Sequence, residues 1–187
     1  MARTARRADL LDFAVLGLLH ESPMHGYELR KRLNTALGAF RALSYGSLYP
    51  CLRELLATGW VAEAAQQPGV AGSRRARIVY ELTAAGKEHF ASVAHDAGPS
   101  AWEDDGFDVH FAFFARTTAE VRLRILEGRR SRLEERLATI RETSARNRER
   151  ADAYTAALQR HGEESAEREV RWLEELIHAE RAVPPST

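Results

Sequence analysis

The stretch of sequence that decides the fold is GSLYPCLRELLATG, residues 46–59. Its leucines recur three and four positions apart, which is the spacing of one face of a helix. Proline is tolerated only in the first turn of a helix, where its missing N–H costs nothing, so Ser47 is the expected N-cap and Pro50 the third helical residue. Gly59 suits the position after the helix, which often takes a left-handed backbone conformation. The stretch therefore predicts a short helix with one buried face.

Two more helices are predicted upstream of this one. Residues 9–19, DLLDFAVLGLL, carry apolar side chains around most of the helix circumference, which is typical of a buried helix. Residues 27–33, YELRKRL, place leucines on one face and cations on the other. Pro23 separates the two segments, because proline interrupts a helix.

Downstream, two short strands are predicted around a turn-rich stretch. Residues 60–64 are mostly apolar, residues 66–73 are rich in glycine and proline, and residues 77–82 alternate between apolar and polar side chains. Thr83 then fits the N-cap of a fourth helix that ends near Val93. Three helices followed by a β-hairpin are the element order of a winged helix-turn-helix, in which the helices support a hairpin too small to be stable alone.

The middle of the chain predicts a domain boundary. Residues 95–106 contain the sequence GPS and an acidic run, a composition typical of a linker. We therefore expect a winged helix-turn-helix domain over residues 1–94, a linker over residues 95–106 and a helical domain over residues 107–187. The predicted fold class is mainly α with a small β-hairpin, the second domain being an antiparallel helical dimerisation domain.

A heptad pattern of apolar residues dominates the last part of the chain. One seam alternates spacings of four and three residues and is interrupted by the polar Ser144 and Asn147, which either select a partner or face solvent at a bend. This seam predicts a long helix that ends at His161-Gly162, followed by a final helix that folds back on it. The candidate dimerisation residues along the two seams are Leu133, Leu137, Ile140, Tyr154, Leu158, Val170, Leu173 and Ile177.

Composition excludes several classes of protein. The chain of 187 residues is 44% hydrophobic and 29% charged, with 27 Lys+Arg and 27 Asp+Glu. No apolar run approaches the roughly 18–20 residues of a membrane span, and the N-terminus lacks the apolar core of a signal peptide. The single cysteine, Cys51, excludes a disulfide framework and a multi-thiolate zinc site. We therefore expect a cytoplasmic globular protein.

The charges are unevenly distributed along the chain. Residues 1–90 carry 12 Lys+Arg and 8 Asp+Glu, a balance of +4, and residues 91–187 carry the other 15 and 19, a balance of −4. An excess of positive charge in one half is consistent with a polyanionic partner, although an imbalance of this size also arises by chance.

No arrangement typical of catalysis is present in the sequence. It lacks a phosphate-binding glycine loop with lysine, a G-x-S-x-G element and an H-E-x-x-H element. An acidic cluster within residues 103–108 lies near His95 and His110, which is compatible with a metal site or with a solvated linker. We expect no enzymatic activity, no cofactor and no metal.

The outer side of the helix in residues 46–59 offers groups that suit DNA. With its leucine face packed inward, Tyr49 and Arg53 stay available, and arginine contacts phosphates or guanine edges in a major groove. The loop SRRAR, residues 73–77, adds three arginines, for which phosphate or minor-groove contact competes with simple solvation. The alternative for the tyrosines is packing as half-buried aromatic residues. The candidate DNA-contacting residues are Tyr27, Ser44, Tyr45, Ser47, Tyr49, Arg53, Arg74, Arg75 and Arg77.

Four motifs of the N-terminal half resemble PadR-type transcriptional regulators: GYEL at residues 26–29, GSLYPCLREL at 46–55, GWV at 59–61 and YELTAAG at 80–86. They occur in the order and spacing of that family, and residues 107–181 resemble the helical C-terminal domain of its longer members. The resemblance implies a homodimeric winged-helix repressor that dimerises through its C-terminal helices and leaves its operator when a small molecule binds. The family wing often carries lysines, whereas this chain has only arginines there.

The main prediction is thus a repressor that binds double-stranded DNA at a pseudo-palindromic operator as a homodimer. The alternative is a winged-helix protein-protein interaction module without direct operator binding. A small aromatic effector has candidate contacts in Trp102, Phe107, Phe111 and Phe114, whose alternative role is core and dimer packing. Cys51 is either a redox switch or a buried, inert thiol.

Overall fold

The computed structural model describes residues 2–37, 47–64, 78–147 and 152–182. The chain divides into two compact units, which interleave along the sequence. The winged-helix unit consists of Met1–Ala97 and Asp104–Thr118, and the hairpin unit consists of Gly98–Glu103 and Ala119–Thr187.

One central helix organises the winged-helix unit. This helix, α1 (Ala2–Leu19), is buried over most of residues 10–19 and contacts the four other described helices of the unit. Its Phe13 stacks on Phe90 of α4 (Ala84–His95) and on His110 of α5 (Asp104–Ala112), with ring centroids 4.7 and 4.6 Å apart. The described helices of this unit are α1 (Ala2–Leu19), α2 (Gly26–Leu37), α3 (Leu48–Ala57), α4 (Ala84–His95) and α5 (Asp104–Ala112).

A small antiparallel sheet completes this unit. Its described strands are β1 (Met24–His25), β2 (Val61–Glu63) and β3 (Val79–Leu82), with β3 in the centre. β2 and β3 confirm the predicted hairpin strands, whereas β1 is too short to show any alternation in the sequence. The helices and this sheet together confirm the winged helix-turn-helix class.

The start of α4 is fixed to the sheet by Thr83 and Gly86. The Thr83 hydroxyl accepts a hydrogen bond from the Gly86 N–H at 3.0 Å, which confirms Thr83 as N-cap, and donates to the Gly59 carbonyl at 2.8 Å. A methyl group on Gly86 would lie 2.0 Å from the carbonyl oxygen of Trp60. The close approach of α4 to the start of the sheet therefore requires glycine in the YELTAAG motif.

The hairpin unit is built from two long antiparallel helices, α6 (Ala119–Asn147) and α7 (Ala153–Ala182). Ion pairs join the helices along their length: Arg122 contacts Glu180 at 2.8 Å, and Arg141 contacts Glu163 at 2.8 Å. This pairing confirms the predicted antiparallel pair of helices, although α7 begins earlier in the sequence than predicted.

The predicted helix end at His161-Gly162 is wrong, because α7 runs through both residues. Nothing lies within 4 Å of the position that a methyl group on Gly162 would take, and a helix interior tolerates such a glycine at a cost of about 1 kcal/mol. Asp152 instead caps the start of α7, since its carboxylate accepts hydrogen bonds from the N–H groups of Tyr154 and Thr155 at 2.8 and 3.0 Å.

The segment predicted as a linker, residues 95–106, is largely helical. Pro99–Trp102 form a short 3-10 helix, and α5 begins at Asp104. Acidic side chains are favourable in the first turn of a helix because of the helix dipole, so the acidic run marks a helix start. Residues 104–118 belong to the winged-helix unit, and the predicted boundaries at residues 94 and 107 therefore do not coincide with the two units.

Candidate DNA-binding surface

α3 packs its apolar face into the winged-helix unit and leaves the opposite face exposed. Leu48, Leu52 and Leu55 are at most 1% exposed, whereas Tyr49 is 57% exposed and Arg53 is exposed as well. Each buried leucine stabilises this packing by about 1.5–3 kcal/mol relative to an exposed one. Tyr49 and Arg53 are thus held on the outer side of a firmly anchored helix.

Both ends of α3 lie where the sequence predicts them. Ser47 is at the N-cap position and Pro50 is the third helical residue, although the Ser47 side chain makes no capping hydrogen bond. At the other end, Gly59 has a φ of 75°, and the N–H groups of Gly59 and Trp60 both donate to carbonyls in the last turn of α3 at 3.1 Å. This Schellman arrangement ends the helix. The exposed Ser47 hydroxyl is not used for capping and lies beside the helix N-terminus.

The ring of Tyr49 lies against the start of α2. A methyl group on Gly26 would be 3.5 Å from Cε1 of Tyr49 and 3.6 Å from Cε2 of Tyr80, so both rings are close to that glycine. Burial raises the pKa of Tyr80, and the nearby Glu63 and Tyr49 raise it further, so Tyr80 remains a neutral phenol. The Tyr49 ring thus lies near Gly26, while more than half of the side chain stays accessible.

α2 contributes a second exposed aromatic residue, Tyr27. This side chain is 69% exposed, and the guanidinium carbon of Arg30 lies 5.8 Å from its ring centroid, within cation–π range. Arg32 is paired with Glu28 at 2.9 Å and with Glu21 at 3.2 Å. The charge of Arg32 is therefore compensated, whereas Tyr27 and Arg30 form an exposed pair.

The structure describes four of the predicted DNA-contacting residues, namely Tyr27, Ser47, Tyr49 and Arg53. All four are exposed, and they lie on α2, on α3 or at the N-cap of α3. The predicted residues that lie outside the described part of the chain are Ser44, Tyr45, Arg74, Arg75 and Arg77.

Cys51 lies on the inner side of α3, where its thiol donates a hydrogen bond to Asp12 of α1. Burial is the main reason that the pKa of Cys51 is raised, and the hydrogen bond and charge of Asp12 raise it further. Burial also raises the pKa of Asp12. A buried, protonated thiol is a poor nucleophile. These contacts have no local signature in the sequence, and they fit the interpretation of Cys51 as an inert core residue.

Four predicted dimerisation residues require a correction. Leu133, Leu137, Leu173 and Ile177 are buried within a single chain, because α6 and α7 close their apolar faces on each other. These side chains form the core of the hairpin unit and are not free to contact a second copy.

The other predicted dimerisation residues are more accessible. Ile140 and Val170 are half-buried. Tyr154 and Leu158 lie on α7, not on the preceding helix as predicted, and they are 89% and 71% exposed. They are the apolar side chains of this set that can reach a second copy.

The predicted effector residues belong to different compact units. Phe111 lies between Phe107 and Phe114 in the winged-helix unit, with ring centroids 5.6 and 5.0 Å away, and only Phe107 is fully buried. Trp102 is part of the hairpin unit, where its ring lies against Gly128. The three phenylalanines lie together in the winged-helix unit and remain candidate effector contacts.

Within the described ranges, no three His, Cys, Asp or Glu side chains are arranged to hold a metal ion. His110 is buried instead, and its Nδ1 lies 2.8 Å from the Gly106 carbonyl oxygen. Burial lowers the pKa of His110. Across the same part of the chain, no helix has the length and apolar character needed to cross a membrane.

The anchored α3 with its exposed polar side, the preceding α2 and the antiparallel strands β2 and β3 together define a domain of the winged helix-turn-helix class. Residues 15–92 match the model of the transcriptional regulator PadR-like family.

Comparison with individual proteins gives the same family name. The negative transcriptional regulator PadR of Bacillus subtilis (strain 168) is 26% identical over 98 residues, which are 51% of this chain and 52% of the relative. The chain thus matches about half the length of that curated relative.

Solved structures of the family are also similar to this chain. Bacillus subtilis PadR in complex with operator DNA shares 19% identity, with coverage of 91% and 98% of the two chains and a TM-score of 0.41. The same protein in complex with p-coumaric acid shares 18% identity, with coverage of 92% and 99% and a TM-score of 0.41. A PadR-like regulator from Bacillus cereus shares 20% identity, with coverage of 92% and 98% and a TM-score of 0.40.

Proposed function

We propose that the whole chain is a homodimeric transcriptional repressor that binds a pseudo-palindromic operator and is released by a small aromatic effector. Such a regulator acts where the genome is, so we place it in the cytoplasm. The observation that carries the proposal is the exposure of Tyr49 and Arg53 on an α3 whose leucine face is fully buried. A helix anchored in this way can enter a major groove without losing contact with its own core.

The side chains on the exposed face fit the chemistry of DNA. Arg53 can donate two hydrogen bonds to a guanine edge, and the hydroxyls of Ser47 and Tyr49 suit phosphate oxygens near the helix N-terminus. The match of residues 15–92 to the PadR-like family supports transcriptional regulation, and the name of the B. subtilis relative, a negative regulator, supports repression.

Dimerisation has support in the hairpin unit. Tyr154 and Leu158 are one helical turn apart on α7, and a soluble helix gains free energy when such exposed apolar residues are covered. A dimer also explains an operator with two-fold symmetry, because each copy would contact one half-site. The partly exposed Phe111 and Phe114 offer apolar contacts for an aromatic effector.

The experiment compares Arg53→Ala with the wild-type protein on the operator upstream of its own gene. If Arg53 contacts a guanine edge, the variant should lose about 1–3 kcal/mol of binding free energy and relax the preference at one base position per half-site. Arg171→Ala makes the same charge change at an exposed position of α7 and should leave binding unchanged. Equal operator binding and equal base preference of Arg53→Ala and wild type would contradict base contact by Arg53. A wild-type protein that does not bind the operator would contradict the proposal and favour the protein-protein interaction module.

A further inference from the structure

Residues Gly98–Glu103, which we call the strap, belong to the hairpin unit, although the segments on both sides of them belong to the winged-helix unit. The strap is separated from the end of α4 by two residues and is followed directly by α5. Its ends are therefore covalently tied to two helices that build the DNA-binding unit. The strap is thus a backbone connection between the two units.

Arg129 of α6 holds the strap on the hairpin. Its Nε and Nη2 donate to Oε1 of Glu169 on α7 at 2.9 and 2.7 Å, and its Nη1 donates to the backbone carbonyl of Trp102 at 2.8 Å. The side chain is 8% exposed, and a charge this buried is stable only when its donors are satisfied. The guanidinium group reaches both partners at once because its donors diverge from one rigid plane, which a lysine ammonium cannot reproduce.

Packing reinforces this polar contact. The indole ring of Trp102 lies directly against the backbone of α6 at Gly128, so a methyl group there would be 2.1 Å from Cε2 of the ring. Arg132 and Glu103 add an ion pair at 3.7 Å between α6 and the end of the strap. Three contacts of different kinds thus fix a six-residue segment on one helix of the hairpin.

We infer that Arg129 is a positioning residue that fixes the distance between the two DNA-binding units of the dimer and so selects the half-site spacing of the operator. The inference rests on the proposed function. If the hairpin units join the two copies, the strap is part of the connection from that junction to each α3. Once one DNA-binding unit is bound, a tight connection raises the effective concentration of the other copy's DNA-binding unit at one particular half-site spacing. A loose connection allows several half-site spacings.

The test compares Arg129→Lys with the matched control Arg141→Lys. Both arginines lie on α6 and pair with glutamates of α7, but only Arg129 also contacts the strap. Binding is measured on the operator, on the same half-sites moved apart by two base pairs, and on an isolated half-site. We expect Arg129→Lys to reduce the preference for the original spacing by about tenfold while half-site binding and the dimer measured by sedimentation stay unchanged. Arg141→Lys should keep the wild-type preference.

A second variant, Gly128→Ala, displaces the strap without weakening α6. The added methyl group pushes Trp102 off the helix, and alanine is a better helix former than glycine. We expect the same loss of spacing preference as in Arg129→Lys, although Gly128→Ala raises helix propensity and Arg129→Lys leaves it nearly unchanged. An unchanged spacing preference in either strap variant, or an equal loss in Arg141→Lys, would overturn the inference alone. A wild-type protein without any sequence preference would overturn the proposed function together with it.

Discussion

Substitution of Gly86 by alanine tests the joint between α4 and the sheet. A Cβ at this position would lie 2.0 Å from the carbonyl oxygen of Trp60 and 2.7 Å from Cδ1 of Leu82, whereas real Cβ contacts are essentially never under 3.0 Å. The carbonyl of Trp60 cannot easily yield, because it accepts hydrogen bonds from both the N–H and the hydroxyl of Thr83 at 3.1 Å. The first turn of α4 must therefore move by about 1 Å.

Two unfavourable changes and one favourable change contribute to the free energy of unfolding of Gly86→Ala. Overpacking against a backbone group costs about 1–3 kcal/mol, and weakening of the Thr83 cap costs about 0.5–2 kcal/mol. The better helix propensity of alanine offsets at most about 1 kcal/mol of this loss. The net loss in the free energy of unfolding is about 0.5–5 kcal/mol. The central value of about 2.5 kcal/mol lowers the melting temperature of a unit of this size by about 10–20 °C.

Scanning calorimetry of Gly86→Ala and of Gly162→Ala measures this effect with its control. Gly162 is also helical, but nothing lies within 4 Å of its missing Cβ. Alanine there should stabilise α7 by about 0.5–1 kcal/mol through helix propensity alone. We therefore expect the melting temperature to fall in Gly86→Ala and to rise in Gly162→Ala. A melting transition of Gly86→Ala equal to that of the wild type would refute the close approach of α4 to Trp60.

Three further outcomes are expected. Burial lowers the pKa of His110 below its usual 6.5, so near that pH the unfolded chain binds a proton there that the folded chain does not. The folded protein therefore loses stability as the pH falls below about 6.5. His110→Phe keeps a ring against Phe13 and should show a smaller drop in melting temperature between about pH 7 and pH 5 than the wild type. Since burial raises the pKa of Cys51, iodoacetamide should alkylate this thiol only in the unfolded protein, and rapid labelling of the folded protein would contradict its burial. If Arg74 and Arg75 contact phosphates, replacing both by alanine should reduce the slope of log affinity against log salt concentration by about 0.9 per lost contact. An unchanged slope would identify both side chains as solvated.

Local signals in the sequence were sufficient for much of the winged-helix unit. The position of α3 follows from Pro50 in its first turn and Gly59 after its end, and the start of α4 follows from the Thr83 cap. These features act within one turn of helix, so they can be recognised without knowing any tertiary contact. The exposed positions of Tyr49 and Arg53 follow from the leucine spacing in the same way.

The hairpin unit was harder to predict because competing local signals have similar strength there. A glycine inside a helix costs about 1 kcal/mol and an aspartate cap contributes a similar amount, so the heptad pattern could not decide between a break at Gly162 and one before Asp152. The role of Arg129 has no local signature at all. Its partners, Glu169 and Trp102, come together only when α6 and α7 have folded back on each other.

The functional assignment is tested most directly by selecting bound DNA from a random library with the full chain at a stated salt concentration. We expect enrichment of one pseudo-palindrome whose half-site centres are about 10–10.5 base pairs apart, or a multiple of that distance, because the two α3 helices of a dimer enter major grooves on one side of the duplex. The same selection with Arg53→Ala should relax one base position in each half-site. Operator binding by a dimer would be contradicted if the selection enriched no sequence. It would also be contradicted if the selection enriched a single unrepeated motif that one copy of the chain binds.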